Sequence, residues 1–125
     1  MPICTKREIA QLERQYSVQL PAIYKAFLLG SYPDVEARLV GSDIDMRYLP
    51  EIRRWAQELL VENDVGHQLP SDSFVFLMHQ GYQFMYFPCD GTDNPPVFYY
   101  LEGDEKPRLI FERFSEWIAS FSRGS

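Results

Sequence analysis

The fold follows from residues 74–87, which read FVFLMHQGYQFMYF. Two largely apolar runs, 74–79 and 82–87, flank Gln80-Gly81, and this spacing predicts a β-hairpin with a two-residue turn. Large apolar side chains occupy both alternating sets of positions, so both faces of the hairpin are apolar. We therefore expect the hairpin to lie in the centre of a sheet. Helices would cover one face, and further side chains or a partner would cover the other.

A two-residue turn also fixes which side chains face each other across the hairpin. The expected pairs are Leu77–Phe84 and Val75–Tyr86 on one face, and Phe76–Met85 and Phe74–Phe87 on the other. The pattern then predicts, in order, a loop over 88–96, a strand over 97–101, an acidic turn over 102–107 and a strand over 109–111.

Four other segments have helical periodicity. The first helix starts at a capping box formed by Thr5 and Glu8. The second starts at Pro21 and stops at Gly30. The third starts at Pro50 and is broken by Asn63, and the fourth carries the apolar stripe Phe114, Trp117, Ile118 and Phe121. Between the second and third, Arg38-Leu39-Val40 suits a short strand and Gly41-Ser42-Asp43 a turn.

Helices followed by hairpin-connected strands and a closing helix are typical of an α+β domain. We expect a mostly antiparallel β-meander packed against N-terminal, middle and C-terminal helices. The chain has 125 residues, of which 46% are hydrophobic, which suits one domain with one core. We place that domain at residues 1–122 and a flexible tail at 123–125.

The sequence also predicts a cytoplasmic protein. Its longest uninterrupted apolar run, 74–78, has five residues, far fewer than the roughly 20 of a membrane-spanning helix. The N-terminus becomes charged at Lys6 without an apolar stretch, so no secretory signal is visible. Cys4 and Cys89 are too few for a disulfide framework, and we expect both to be reduced thiols.

Charge is distributed unevenly along the chain. The net charge is -6, yet residues 55–105 contain nine Asp and Glu and no Lys or Arg. The remainder carries 12 basic against 9 acidic residues, or +3. An acidic field repels phosphate backbones and attracts cationic proteins, so a basic protein is favoured as partner over nucleic acid. A solvated acidic surface that only maintains solubility explains the charge equally well.

No motif for catalysis or metal binding is complete. Asp43 and Asp45 have the spacing of a carboxylate metal site, but a loop whose Asp residues accept from backbone amides is the simpler interpretation. Residues 90–94 lack the ligands of a calcium loop and read as a turn. No nucleophile elbow or phosphate-binding glycine loop is present. We expect no enzyme activity and no cofactor, and no metal-ligand spacing joins Cys4, Cys89, His67 and His79.

The aromatic residues between 82 and 100 are expected to be mainly core. A platform that stacks single-stranded nucleic acid would interleave them with Lys and Arg, and this region has none. Tyr99 and Tyr100 point to opposite faces of one strand, so we expect at least one of them at the surface. Tyrosine there is a common anchor of protein interfaces.

Four segments, taken together and in order, resemble the SUKH superfamily, which includes the yeast cell-wall-assembly regulator and many bacterial immunity proteins. The likeness covers roughly residues 5–121. It implies an α+β fold, in agreement with the pattern above, and protein binding without catalytic residues to carry over. The segments are LPAIYKAFL (20–28), LPSDSFVF (69–76), HQGYQF (79–84) and FSEWI (114–118).

The leading hypothesis is a non-enzymatic immunity protein of a toxin–antitoxin pair, which neutralises a basic, nuclease-type toxin domain through acidic loops. Two alternatives stay open. One is a regulatory scaffold that binds several proteins weakly, and the other is a small-molecule or peptide sensor with a cleft between helices and sheet. We expect neither nucleic acid nor membrane as a partner. The expected partner-binding residues are Asp90, Asp93, Tyr99, Tyr100, Glu102, Asp104 and Glu105.

Overall fold

The structure, a computed structural model, describes residues 3–39, 41–66 and 69–123. No helix within these ranges is long and apolar enough to cross a membrane. The helices are α1 (Lys6–Tyr16), α2 (Ala22–Leu28), α3 (Pro33–Arg38), α4 (Leu49–Glu62) and α5 (Phe114–Arg123). The strands are β1 (Ser42–Asp43), β2 (Ser73–His79), β3 (Gln83–Pro88), β4 (Val97–Leu101) and β5 (Arg108–Phe111).

The strands form one antiparallel sheet in the order β1-β2-β3-β4-β5. This confirms the predicted α+β class and the central place of the hairpin, because β2 and β3 each have a neighbour on both sides. The capping box is also confirmed. The amide of Glu8 donates to Thr5 Oγ1 at 3.1 Å, and the amide of Thr5 donates to Glu8 Oε1 at 2.9 Å.

Three features differ from the predictions, the first of which is helix α3, because no helix was expected between the second helix and Pro50. Arg38 ends helix α3 instead of starting a strand, and Ser42 and Asp43 form β1 instead of a turn. The reason is tertiary, since Ser42 pairs with His79 of β2 and local propensity alone does not specify a two-residue strand. Val40 lies outside the described residues. At the other end α5 includes Arg123, so the helix extends into the predicted tail, and residues 124–125 are not described.

Two of the four predicted pairs across the hairpin are present. Val75 pairs with Tyr86 and Phe74 with Phe87, as expected, but Leu77 pairs with Met85 instead of Phe84. The turn contains three residues, 80–82, because Gln80 and Gly81 both adopt positive φ (53° and 79°) and β3 starts one residue later. A bulge in β2 at Phe76 absorbs the extra residue and restores the pairing beyond it.

A second irregularity lies at the edge of the sheet. Phe111 of β5 pairs with Val97 and Leu109 with Phe98, so Ile110 has no partner in β4. Leu109 and Ile110 are 51% and 38% exposed. The outermost strand is therefore bulged and partly apolar.

The core centres on the Tyr24 ring of α2. Its centroid lies 5.0–6.2 Å from five other rings, three of them in edge-to-face contact. Aromatic pairs of this kind stabilise the core beyond simple burial. Helices α2 and α5 thus lie over the aromatic side chains of the hairpin. The five rings are Phe27, Phe74, Phe76, Phe87 and Phe114.

Aromatic packing continues on the opposite face of β3. Because side chains alternate along a strand, Phe84 and Tyr86 point to the face opposite that of Phe87. The Phe84 ring lies 5.6 Å from the Tyr100 ring, and the Tyr86 ring lies 5.2 Å from the Phe98 ring. Residues 73–78 are all buried. Along β2, both faces are therefore covered within this chain, and no partner is needed to cover them.

Helix α4 is fastened to the start of β2 by Arg53. Its Nη1 donates to the carbonyl and the hydroxyl of Ser73 at 2.7 and 2.8 Å, and its Nη2 donates to the Pro70 carbonyl at 3.0 Å. Ser73 is only 2% exposed, so its two oxygens have little access to water. Its neighbour Arg54 instead pairs with Glu51 and Glu58 on the exposed side of the helix.

Replacing these two arginines tests this arrangement. We expect Arg53→Gln to lower the free energy of unfolding by about 1.5–3 kcal/mol, because charge-assisted hydrogen bonds to poorly hydrated acceptors are lost. Arg54→Gln is the matched control and should change it by less than about 0.5 kcal/mol, since exposed helix pairs are weak. Urea titration followed by circular dichroism measures both. Equal losses would contradict the role of Arg53.

The Tyr24 hydroxyl supplies a second test, because it is buried without a hydrogen-bond partner among the described residues. Burial also raises the pKa of this phenol well above its usual value. Tyr24→Phe should leave stability unchanged or raise it by up to about 1 kcal/mol, since an unsatisfied polar group is removed. Tyr24→Ala should lose about 3–5 kcal/mol. A loss of stability above about 1 kcal/mol in the Phe variant would contradict this, because it would mean that the Tyr24 hydroxyl does have a hydrogen-bond partner.

Candidate functional site

The predicted acidic loops lie at opposite ends of the sheet. Strands β3 and β4 are antiparallel neighbours, so the loop over 89–96 leaves one end of the sheet and the turn over 102–107 leaves the other. With six residues in β3, the two ends are about 17 Å apart at 3.3 Å per residue. The structure therefore divides the expected interface, with Asp90 and Asp93 at one end and the other acidic residues at the opposite end.

The turn over 102–107 is tied to the C-terminal end of α4. The amide of Gly103 donates to Asn63 Oδ1 at 3.2 Å, and the amide of Glu102 donates to the Tyr82 carbonyl at 2.8 Å. These bonds bring two acidic segments together at the hairpin turn. We call this the hairpin-end acidic surface, and it consists of Glu62, Asp64, Glu102, Asp104 and Glu105.

The acidic residues of the turn differ in their freedom to bind. Asp104 Oδ2 accepts from the Leu101 amide at 3.2 Å, and the Asp104 carbonyl accepts from the Tyr100 hydroxyl at 3.0 Å. Asp104 thus shapes the turn. Glu102 and Glu105 are exposed, and within the described residues their carboxylates accept no hydrogen bond from the rest of the chain. They can therefore contact a partner without local rearrangement.

Tyr100 does not serve as a surface anchor. Its ring is completely buried and packs on Phe84, because the face of β4 that carries it is the covered one. Tyr99 is half-buried on the other face, where its hydroxyl donates to Gln83 Oε1 at 2.6 Å. The Arg108 guanidinium lies 5.6 Å from the centre of the Tyr99 ring, so the remaining predicted anchor is already covered by a cation.

At the other end of the sheet, the predicted turn over 90–94 is present. Asp90 Oδ1 accepts from the Thr92 amide at 3.1 Å, and hydrogen bonding to Thr92 lowers the pKa of Asp90. The Asp93 carbonyl accepts from the Ile23 amide at 3.3 Å, while Asn94 bonds to Ser115. The exposed carboxylates of Asp90 and Asp93 belong to a loop fixed against α2 and α5.

Asp43 and Asp45 have separate roles in the structure. Asp45 Oδ1 accepts from the Arg47 amide at 3.1 Å, and its Oδ2 pairs with the Arg47 guanidinium at 3.0 Å. This agrees with the interpretation of a loop that satisfies its backbone amides. Burial, and then the charge of Asp45, raise the pKa of Asp43. Within residues 3–39, 41–66 and 69–123, no three His, Cys, Asp or Glu side chains are grouped to hold a metal ion.

The two thiols are protonated at neutral pH. Burial, reinforced by nearby carboxylates, raises the pKa of both Cys4 and Cys89 from 9.0 to about 12. The thiolate is the reactive form, so neither side chain is activated as a nucleophile. His79 shares a hydrogen bond of 3.1 Å between its Nδ1 and Ser42 Oγ. His67 lies outside the described residues.

Sequence reasoning left a cleft between helices and sheet open but did not name the residues of the one that lies beside the hairpin-end acidic surface. It has a volume of about 260 Å³ and is lined by α4, β1, β2 and the hairpin turn. Glu58 and Glu62 stand one helical turn apart on α4, a spacing that the sequence displays, but their approach to Asp43 depends on the pairing of β1. We call it the α4 cleft, and its lining residues are Asp43, Trp55, Glu58, Leu59, Glu62, Met78 and Gly81.

Comparison with known proteins gives one finding. The family model described as SMI1 / KNR4 family (SUKH-1) matches residues 3–120. No curated protein and no solved structure matches the chain.

The raised thiol pKa values predict slow alkylation of the folded protein. In mildly alkaline buffer, the thiolate fraction is roughly a thousandfold below that of a free cysteine, so iodoacetamide should label Cys4 and Cys89 at about that reduced rate.

Because the folded pKa values exceed the unfolded 9.0, the thiols stabilise the fold below that pH. Their contribution is lost as the pH rises toward 12.

Mass spectrometry of time-resolved labelling makes the measurement. The same protein in concentrated urea is the control and should react at the free rate. Half-buried Cys89 should react before buried Cys4. Fast labelling of either thiol in the folded protein would contradict the assigned environment.

Proposed function

The chain belongs to the SMI1 / KNR4 family (SUKH-1), and we propose that it is an immunity protein that binds and neutralises a basic, nuclease-type toxin domain. The family match over residues 3–120 agrees with the resemblance seen in the sequence. At family level this match supports a non-catalytic immunity or regulatory module. The choice of immunity, and of a basic partner, rests on the charge of one surface.

The hairpin-end acidic surface carries the proposal. Five carboxylates, from segments some 40 residues apart in the chain, are held together by the Gly103–Asn63 hydrogen bond. No Lys or Arg occurs between residues 55 and 105, and Lys106 is the one cation within the turn over 102–107. A nuclease site is built to attract phosphate, so a fixed group of carboxylates is suited to occupy it.

Electrostatics of this kind act mainly on the rate of association. A negative surface attracts a basic domain over about a Debye length, roughly 8 Å at physiological ionic strength. Exposed rim charges therefore set the association rate and its salt dependence more than the lifetime of the complex. Tyr99 would join the contact only if Arg108 moves aside, so we assign it no primary role.

The separation of the two ends provides a matched experiment. We compare Glu102→Lys/Glu105→Lys, at the hairpin end, with Asp72→Lys/Asp93→Lys, at the opposite end. All four side chains are exposed, and both variants change the net charge by the same amount. The wild-type protein and both variants are first used to capture proteins from the source cells. The association rate of each captured protein with the three forms is then measured after purification, at two salt concentrations.

We expect one basic protein, bound 1:1, whose association rate falls about tenfold or more in the hairpin-end variant at low salt. The opposite-end variant should behave like wild type. Co-expression with this chain should also restore growth of cells that the captured protein kills. Loss of binding only in the opposite-end variant would place the interface at the end of the sheet that carries Asp72 and Asp93. Several weak partners without toxicity would indicate a regulatory scaffold.

A further inference from the structure

The α4 cleft combines negative charge with an apolar floor. Glu58, Glu62 and Asp43 supply three carboxylates, and half-buried Trp55 supplies aromatic surface, while Leu59 and Met78 below it are only 4% and 2% exposed. Its volume of about 260 Å³ is below the roughly 300–1,000 Å³ of most small-molecule sites. The cleft is thus of a size for one long side chain rather than a metabolite.

In the part of the chain that the structure describes, its own cations neutralise the cleft only in part. Among the described residues, Asp43 and Glu62 form no ion pair, and Arg47 is paired with Asp45. Arg54 reaches Glu58 at 3.6 Å but is also bonded to Glu51 at 3.3 Å, with 63% of its side chain exposed. An exposed helix pair of this kind is weak, so it can be exchanged for a partner's cation.

The chemistry of the lining selects among cations. A guanidinium is planar, forms paired hydrogen bonds with carboxylates and stacks on indole, whereas an ammonium is a compact, strongly hydrated charge. The aliphatic stem of an arginine would pack along the exposed part of Trp55. Trp55 is half-buried, so one part of its ring surface remains available for stacking.

We propose that the α4 cleft takes one arginine side chain of the partner protein. The inference deepens the proposed function and rests on it, because Glu62 belongs both to the cleft and to the hairpin-end acidic surface. The surface would attract the basic partner, and the cleft would hold one of its residues.

The test uses N-acetyl-arginine methylamide as probe and the uncharged citrulline derivative as its matched control. The chain has two tryptophans, Trp55 and Trp117, and Trp117 is 2% exposed. In a nitrogen-15 NMR titration we expect the Trp55 indole signal to move with the arginine probe and the Trp117 signal to stay. The citrulline probe should bind at least about tenfold more weakly, because charged hydrogen bonds are lost.

Two variants locate the binding. Glu62→Gln, at an exposed position, and Asp43→Asn should each weaken the arginine probe about threefold to tenfold. Asp72→Asn, an exposed carboxylate at the opposite end of the sheet and outside the cleft, should leave it unchanged. Circular dichroism confirms that each variant is folded. An unmoved Trp55 signal, equal binding of the two probes, or equal loss in all three variants would overturn the proposal.

This outcome is separate from that of the proposed function, since the probe experiment needs no natural partner. If the toxin partner does not exist and the cleft is correct, the probe still binds and Glu62→Gln still weakens it. If the cleft is wrong and the immunity role is correct, Glu102→Lys/Glu105→Lys impairs partner binding while the probe shifts no cleft residue.

Discussion

Burial of both faces of the β2–β3 hairpin is the constraint on which the rest of the structure depends. A strand in which residues 73–78 are all inaccessible to water needs neighbours on both edges and cover on both faces. The sheet supplies the neighbours, and α2 and α5 bring the Tyr24 ring cluster onto Phe74, Phe76 and Phe87. Helix α4 packs along β2 and is fixed there by Arg53. The functional surfaces are consequences of this packing, because α4 brings Glu58 and Glu62 to the hairpin turn.

The sequence was informative where the determining interactions are local. Helix starts at Thr5 and Pro21, and the strand over 97–101, follow from capping, periodicity and turn residues. The register was wrong near the turn because Gln80 takes a positive φ, which few residues other than glycine and asparagine do. Strand β1 was missed because its two residues are held by pairing with β2 rather than by their own propensity.

The candidate site was predictable only in part, for reasons of topology. Alternation shows that Tyr99 and Tyr100 face opposite ways, but it does not show which face is covered. In contrast, the separation of Asp90 from Glu102 follows from the meander itself, since successive connections of an antiparallel sheet leave opposite ends. The sequence therefore contained enough information to predict that the two acidic loops lie apart. The link between Asn63 and Gly103, and the approach of Asp43 to α4, depend on three-dimensional contacts that no spacing specifies.

The irregular edge of the sheet bears on how concentrated the protein can become. An exposed strand is a template for other strands, and proteins limit this by shortening, bulging or charging their edges. Here one edge is β1, with two residues. The other is β5, in which the Ile110 bulge interrupts the ladder and Arg108 and Glu112 flank the apolar run 109–111. Neither edge offers a regular ladder for a second copy. The chain therefore resists edge-to-edge aggregation, although Leu109 and Ile110 face the solvent.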